Sequence, residues 1–188
     1  MRERSGGTYR RTVATIAVLV NGPPGAGKST LAGELAAQLG VPLISKDLLK
    51  EAMADQVISQ LPTTGLGAIA SDAMWRLASL IDGGVVVDSF WYVGRDERHL
   101  STGLAVAGVS DAVELWCTAG IAVMRERFRT RARHPAHHDD DRIEEWEQLV
   151  RAAAPVSGFP VIEVSTDSPV DVAALSSAVL ERLPALRR

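Results

Sequence analysis

Residues 22–29 have the sequence Gly22-Pro23-Pro24-Gly25-Ala26-Gly27-Lys28-Ser29. A short apolar run rich in β-branched residues, Ile16 to Val20, precedes this stretch, and apolar residues at helical spacing follow it from Ser29 to Leu39. A strand, a glycine-rich loop and a helix in this order are typical of a P-loop, which binds the phosphates of a nucleoside triphosphate. The sequence therefore predicts a nucleotide site at residues 22–29, and we call this stretch the phosphate loop.

The composition of the phosphate loop suits a phosphate group. Its glycines let successive backbone N–H groups point inward, and the following helix presents its positive N-terminal end to the same anion. Lys28 can reach the β and γ phosphates, and the Ser29 hydroxyl is suited to Mg²⁺, which bridges them. The predicted nucleotide-binding residues of this stretch are Gly22, Pro23, Pro24, Gly25, Ala26, Gly27, Lys28, Ser29 and Thr30.

The pattern of strands and helices continues to the end of the chain. Further strands are predicted at 41–45, 85–88, 112–117 and 161–164, and helices at 48–54, about 68–80, 97–107, 121–132, 143–153 and 170–183, with a Pro/Gly/Thr break at 61–67. Parallel strands need crossover helices, so this alternation predicts an α/β fold, a three-layer sandwich around a five-stranded parallel sheet.

Length and composition limit the possible classes of protein. The 188 residues are 46% hydrophobic, which suits one domain, expected at 12–188 after a flexible N-terminus at 1–11. A net charge of −3 gives no global positive field for a nucleic acid, so none is expected as partner. No apolar stretch is long enough to cross a membrane. With one cysteine, Cys117, expected in the core, the protein should be cytoplasmic.

Two aspartates follow predicted strands and are candidates for chemistry. Asp88 ends an apolar strand, where its carboxylate could hold Mg²⁺ together with Ser29, or could simply terminate the strand. Asp47 follows Ser45-Lys46 and could accept the proton of an attacking hydroxyl, or could be only a helix N-cap. Both aspartates should lie at the carboxyl ends of parallel strands, where ligands bind in such sheets.

Alternate residues from Arg125 to Arg133 are arginines, followed by a polar segment. A surface helix often carries such a run with no role beyond solubility. Arg131 and Arg133, however, stand just before a lid-like turn and could stabilise charge on a phosphoryl group in transit. We expect a lid at about 131–141, whose histidines and aspartates form no metal site. A GTP-reading Asn-Lys-x-Asp segment is absent from residues 164–168, so ATP is the expected nucleotide.

These motifs resemble those of the small P-loop kinases. More narrowly, the phosphate loop, Ser45-Lys46-Asp47, the strand end at Asp88 and the Arg131-Ala-Arg133-His-Pro lid resemble the zeta-toxin and chloramphenicol-phosphotransferase-like group over residues 16–169. The resemblance implies the sheet order 2-3-1-4-5. It also implies that Asp47 acts as base, that Lys28 and Ser29 hold phosphate and Mg²⁺, that Arg127 packs on adenine and that Arg131 touches phosphate.

The segment after the third strand should border the pocket of the molecule that receives the phosphoryl group. Its predicted substrate contacts are Asp47, Phe90, Trp91, Tyr92 and Arg95, although the aromatic residues could equally pack in the core or against a lid. The leading hypothesis is an ATP-dependent phosphotransferase, monomer or homodimer, acting on a hydroxyl of a small molecule. A polynucleotide 5′-hydroxyl kinase and a non-kinase ATP-dependent switch protein remain alternatives.

Overall fold

The structure is a computed structural model that describes residues 15–57, 62–132, 134–137 and 143–187, excluding the side chains of residues 143 and 144. The predicted flexible terminus at 1–11 lies outside the described residues. So do Arg133 and residues 138–141 of the predicted lid. No helix within the described ranges is long and apolar enough to cross a membrane.

A single parallel sheet forms the centre of the fold. Its strands are β1 (Thr15–Asn21), β2 (Leu43–Ser45), β3 (Gly83–Asp88), β4 (Val109–Thr118) and β5 (Val161–Ser165). They lie in the order β2-β3-β1-β4-β5, and every neighbouring pair is parallel. The predicted α/β class and sheet order are therefore confirmed.

Helices cover both faces of the sheet. They are α1 (Lys28–Leu39), α2 (Lys46–Asp55), α3 (Thr63–Ala78), α4 (Glu97–Ala107), α5 (Ile121–Thr130), α6 (Ile143–Ala152) and α7 (Val172–Arg182), with short 3-10 turns at Pro135–His137 and Pro184–Arg187. Alternate residues of β1 point to opposite faces. Val18 and Val20 pack in the cluster with Leu35 of α1, whereas Ala17 and Leu19 pack in the other cluster with Met74 of α3. The three-layer arrangement follows from this alternation.

Several boundaries differ from the sequence-based expectation, and specific residues explain the starts of α3 and β2. The break predicted at 61–67 is wrong from Thr63 onward, because α3 begins there and includes Gly65 and Gly67. The Pro62 carbonyl accepts the Leu66 amide at 3.0 Å, and Leu66 is buried, so tertiary packing offsets the helical cost of the glycines. β2 begins at Leu43 rather than residue 41, because Pro42 has no amide to donate to a ladder.

Candidate active site

The phosphate loop joins the end of β1 to the start of α1 and lies directly on neighbouring backbone. Gly22 and Gly25 have φ angles of 142° and 92°, which only glycine adopts readily. A Cβ atom added at Gly22 would lie 2.2 Å from the carbonyl oxygen of Cys117, and one at Gly25 would lie 2.3 Å from that of Met124. The backbone near the end of β4 and near the start of α5 therefore fixes the path of the loop. Side chains are excluded at Gly22 and Gly25.

Lys28 is held at the mouth of the phosphate loop. Its Nζ atom donates a hydrogen bond of 3.2 Å to the carbonyl oxygen of Pro23. The same atom lies 5.7 Å from the centroid of the Phe90 ring, within the range of a cation–π contact. These contacts place the ammonium group between the phosphate loop and the segment that follows β3.

Asp88 and two serines form a buried polar cluster beside Lys28. Asp88 is only 3% exposed, and its carboxylate accepts hydrogen bonds from the hydroxyls of Ser45, at 3.0 Å, and Ser29. Burial raises the pKa of Asp88 above its usual range, while Lys28 and the two hydroxyls oppose that rise. The Ser29 hydroxyl and the buried Asp88 carboxylate together suit a divalent cation, because the charge of the cation would favour the ionised form of Asp88.

Asp47 lies in the first turn of α2, at the same edge of the sheet. The N-cap of α2 is Ser45, and the helix begins at Lys46, so the alternative in which Asp47 is the N-cap is wrong. The side chain of Asp47 is exposed, and its charge contributes to the raised pKa of Asp88. The structure thus places an exposed carboxylate beside the cluster of Asp88, Ser29 and Lys28.

Two of the predicted arginines, Arg127 and Arg131, make different contacts. Arg127 donates hydrogen bonds to the Thr166 hydroxyl at 3.2 Å and to the Thr166 carbonyl at 2.8 Å. The Thr166 hydroxyl in turn donates to the carbonyl of Ala26 at 3.0 Å, so Arg127 is tied to the phosphate loop through Thr166. Arg131 follows α5, with its guanidinium carbon 5.3 Å from the centroid of the Phe128 ring. Arg133 lies outside the described residues.

The three aromatic residues after β3 do not share one environment. Phe90 and Tyr92 are half-buried, with their ring centroids 6.1 Å apart. Trp91 is 4% exposed and stacks on Trp75 in the core at 6.0 Å. The structure therefore does not bring the Trp91 side chain to the predicted substrate contact, because its ring is enclosed in the core cluster with Trp75. The alternative in which these aromatic residues pack in the core is therefore confirmed for Trp91.

A cleft of about 400 Å³ opens beside Tyr92, between the segment after β3 and helix α6. We call it the Tyr92 cleft, and it is lined by Tyr92, Val93, Gly94, Arg95, Glu145, Gln148 and Leu149. Arg95 pairs with Asp96 at 2.6 Å and lies 5.6 Å from the Tyr92 ring centroid. The lining therefore combines an aromatic ring, a neutralised cation and further polar side chains.

Sequence analysis missed the contribution of α6 to the Tyr92 cleft. Trp146 donates a hydrogen bond of 2.9 Å from its indole Nε1 to the carbonyl of Pro24, and Phe128 stacks on its ring at 5.5 Å. This contact docks α6 on the phosphate loop and brings Glu145 and Gln148 to the cleft. Pro24 and Trp146 lie 122 residues apart in the sequence, so no local pattern could indicate their contact.

The described part of the predicted lid is docked on α2 and α3. His137 is 8% exposed and lies 2.8 Å from the Glu51 carboxylate, and His134 lies 2.9 Å from that of Asp55. The Thr63 hydroxyl donates to the carbonyl of Ala136 at 2.6 Å. Residues 134–137 therefore contact the same helix that carries Asp47.

A phosphate loop between β1 and α1 of a five-stranded parallel sheet, with an acid at the end of β3, defines a kinase-like P-loop nucleotide-binding fold. The chain belongs to the family described as an AAA domain, whose family model matches residues 18–156. No curated protein matches it in sequence.

Solved structures similar to this chain include several kinases. A provisionally assigned kinase from Chloroflexus aurantiacus is 29% identical, with a TM-score of 0.76, and the match covers 91% of this chain and 98% of that one. A gluconokinase from Sinorhizobium meliloti is 22% identical, with a TM-score of 0.56 and coverage of 93% and 95%. Kti12 from Chaetomium thermophilum, solved with ADP-AlF3, is 20% identical, with a TM-score of 0.61 and coverage of 90% and 98%. The narrower resemblance to the zeta-toxin group stays a prediction.

Proposed function

We propose that this protein is an ATP-dependent phosphotransferase that moves the γ-phosphate of ATP to a hydroxyl of a small molecule of antibiotic, sugar or nucleoside type. The observation that carries the proposal is the position of Asp47. Its exposed carboxylate lies in the first turn of α2, beside the cluster of Asp88, Ser29 and Lys28. A phosphate site alone would suit a switch protein equally well, whereas a carboxylate beside it can serve an attacking hydroxyl.

The proposed reaction follows from these positions. Asp47 takes the proton of the acceptor hydroxyl as that oxygen attacks the γ phosphorus, and the bond from this phosphorus to the β–γ bridging oxygen breaks. ADP leaves with the electron pair of that bond. Lys28 and the amides of the phosphate loop hold the β and γ phosphates, and Arg131 and Arg133 offset charge on the phosphoryl group in transit. Arg127, tied to Thr166, packs on the adenine.

Ser29 and Asp88 would hold Mg²⁺. When bound, this ion would neutralise negative charge on the β and γ phosphates. Ser45 keeps the Asp88 carboxylate oriented through its hydrogen bond of 3.0 Å. The buried position of Asp88 supports this role, because a bound cation offsets the cost of its ionisation.

The size and the lining of the Tyr92 cleft suit a small polar acceptor. Its volume of about 400 Å³ lies in the range of small-molecule sites. Tyr92 offers a flat surface for a sugar ring or a base, and Gln148 and Glu145 offer partners for hydroxyl groups. Arg95 is neutralised by Asp96, so the lining has no strong preference for an anion.

A screen for the acceptor tests the proposal. ADP formation from ATP would be measured with nucleosides, sugars, aminoglycosides, chloramphenicol-like compounds and oligonucleotides, and products would be identified by mass spectrometry. We expect a small hydroxyl compound to gain one phosphoryl group, and to raise the melting temperature in the presence of Mg-ADP. Transfer only to an oligonucleotide would instead identify a polynucleotide 5′-hydroxyl kinase. ATP hydrolysis that responds to a protein partner and to no hydroxyl compound would identify a switch protein.

The raised pKa of Asp88 predicts a pH dependence of metal binding. Burial favours the protonated acid, so Asp88 stabilises the nucleotide-free fold below its unfolded-state pKa of about 3.8, and this contribution is lost as pH rises through the folded-state pKa. Mg²⁺ needs the ionised form. The Mg²⁺-dependent part of the thermal shift with ADP should therefore weaken as pH is lowered from 7.5 toward the folded-state pKa of Asp88.

Asp88→Asn provides the control for this pH dependence. The phosphates of ADP also titrate in this range, but they affect both proteins alike. The Mg²⁺-dependent shift should be small in Asp88→Asn at every pH, so the difference between wild type and variant should shrink on acidification. A difference of constant size at every pH at which both proteins stay folded would contradict the role of Asp88.

A further inference from the structure

Glu114 is a buried carboxylate that the proposed reaction does not use. It lies in the middle of β4 and is 1% exposed. Its carboxylate accepts hydrogen bonds from the Asn21 carboxamide at 2.7 Å, from the Val156 amide at 3.1 Å and from the Ser157 amide at 2.8 Å. Burial of a carboxylate is costly for stability and often gains nothing over an apolar residue, so the role of this group needs another explanation.

Asn21 connects Glu114 to both sides of the candidate site. It is the last residue of β1 and is fully buried. Its Oδ1 atom accepts the amide of Gly22 at 2.7 Å and the amide of Trp91 at 3.0 Å, and its Nδ2 atom also donates to the Trp91 carbonyl at 3.3 Å. Gly22 begins the phosphate loop. Trp91 is flanked in the sequence by Phe90, which lies beside Lys28, and by Tyr92, which lines the Tyr92 cleft.

The chemistry of Glu114 fixes the orientation of the Asn21 carboxamide. An ionised carboxylate only accepts hydrogen bonds, so the amide group of Asn21 must face it. The carbonyl oxygen of Asn21 must then face the amides of Gly22 and Trp91. A glutamine in place of Glu114 would reverse this selection, because the amides of Val156 and Ser157 would hold its oxygen and leave its amide group facing Asn21.

We propose that Asn21 and Glu114 are positioning residues that hold the phosphate loop and the segment after β3 at a fixed separation. Asn21 fixes the start of the phosphate loop by accepting the Gly22 amide, fixes the Trp91 backbone on the acceptor side, and Glu114 keeps the carboxamide in the orientation that makes both contacts. The acceptor half of this inference rests on the proposed function. The nucleotide half does not, because nucleotide binding can be measured without any acceptor.

An exchange of the two side-chain types tests the pair. In Glu114→Gln, the glutamine Oε1 must serve the amides of Val156 and Ser157, so its Nε2 faces the Nδ2 of Asn21 and two donors meet. In Asn21→Asp, two carboxylates meet at the position of the 2.7 Å contact. In the double variant, the new aspartate accepts from the new glutamine and from the amides of Gly22 and Trp91. Only the 3.3 Å contact to the Trp91 carbonyl is then lost.

Affinity for Mg-ADP is the measurement, made by calorimetry at a temperature where each protein is folded. Each single variant should bind about 10-fold or more weakly, as expected for unmatched buried polar groups, and the double variant should recover most of that loss. Val179→Ala is the stability control, because Val179 is fully buried in the hydrophobic core on helix α7. It should lower the melting temperature and leave the affinity unchanged.

Two results would overturn the inference. One is a lower melting temperature in the single variants with Mg-ADP affinity within about 2-fold of wild type, which is the signature of a purely structural pair. The other is a double variant no better than Glu114→Gln, a comparison that holds even if Asn21→Asp does not fold. A wild-type protein that binds Mg-ADP and phosphorylates no compound would refute the proposed function and leave the affinity comparison intact.

Discussion

Replacement of Gly22 by alanine is expected to abolish nucleotide binding and to lower the free energy of unfolding by about 2–6 kcal/mol, the sum of backbone strain and overpacking. The new Cβ atom would lie 2.2 Å from the Cys117 carbonyl oxygen, and the φ angle of 142° is unfavourable for alanine. The neighbour is backbone of a central strand, so it cannot turn aside. The loop must move, and its inward-facing amides move with it.

Gly33→Ala is a matched control for this substitution. Gly33 lies within α1, and a Cβ atom added there would have no neighbour within 4 Å. Alanine should raise the free energy of unfolding by about 0.5–1 kcal/mol, because it has the higher helix propensity. Urea denaturation would give both stabilities, and calorimetry would give the affinity for Mg-ADP. Normal affinity in Gly22→Ala would contradict the described path of the phosphate loop.

The phosphate loop and the sheet were predictable because their signals are local. The loop, the strand before it and the helix after it occupy one continuous stretch. Each strand of the sheet was predicted from a short, mostly apolar run without reference to distant parts of the sequence. The predicted bounds of α4, 97–107, agree with the structure for the same reason. Gly108 ends that helix in the left-handed conformation that only glycine adopts readily.

The parts that the sequence did not predict depend on contacts between distant residues. Trp91 could stand in the core or in a pocket until its stacking on Trp75 was known. Glu114 gave no signal as a partner of Asn21, because the two lie 93 residues apart and meet only through the pairing of β1 with β4. An acid within an apolar run is visible in the sequence, but its partners are decided by the fold.

The role of α2 also emerged only from tertiary contacts. Its first turn carries Asp47, while Glu51 and Asp55, one and two turns further along, meet His137 and His134. Residues spaced four apart share one face of a helix. The same face that presents the proposed base therefore also holds the described part of the predicted lid, which links the two features that sequence analysis had treated separately.

Asp47→Asn is expected to lower the rate of phosphoryl transfer to the true acceptor by about 10²–10⁴-fold, the usual contribution of a general base. Asparagine has nearly the same shape, but its amide cannot take the proton of the attacking hydroxyl. The variant should still bind Mg-ADP at least as well as wild type. Asp47 contributes to the raised pKa of Asp88, so removal of its charge should lower that pKa and favour the ionised form that Mg²⁺ needs.

Measuring phosphoryl transfer and Mg-ADP binding in the same variant separates loss of the base from loss of structure. A general loss of structure would weaken both transfer and Mg-ADP binding, whereas loss of the base alone removes transfer and spares or tightens binding. Asp72→Asn, an exposed aspartate on α3, is the control and should change neither quantity. Steady-state kinetics with the identified acceptor and calorimetry with Mg-ADP would measure the two effects. Undiminished turnover in Asp47→Asn would exclude Asp47 as the base, and weakened Mg-ADP binding would instead assign it to the nucleotide side of the site.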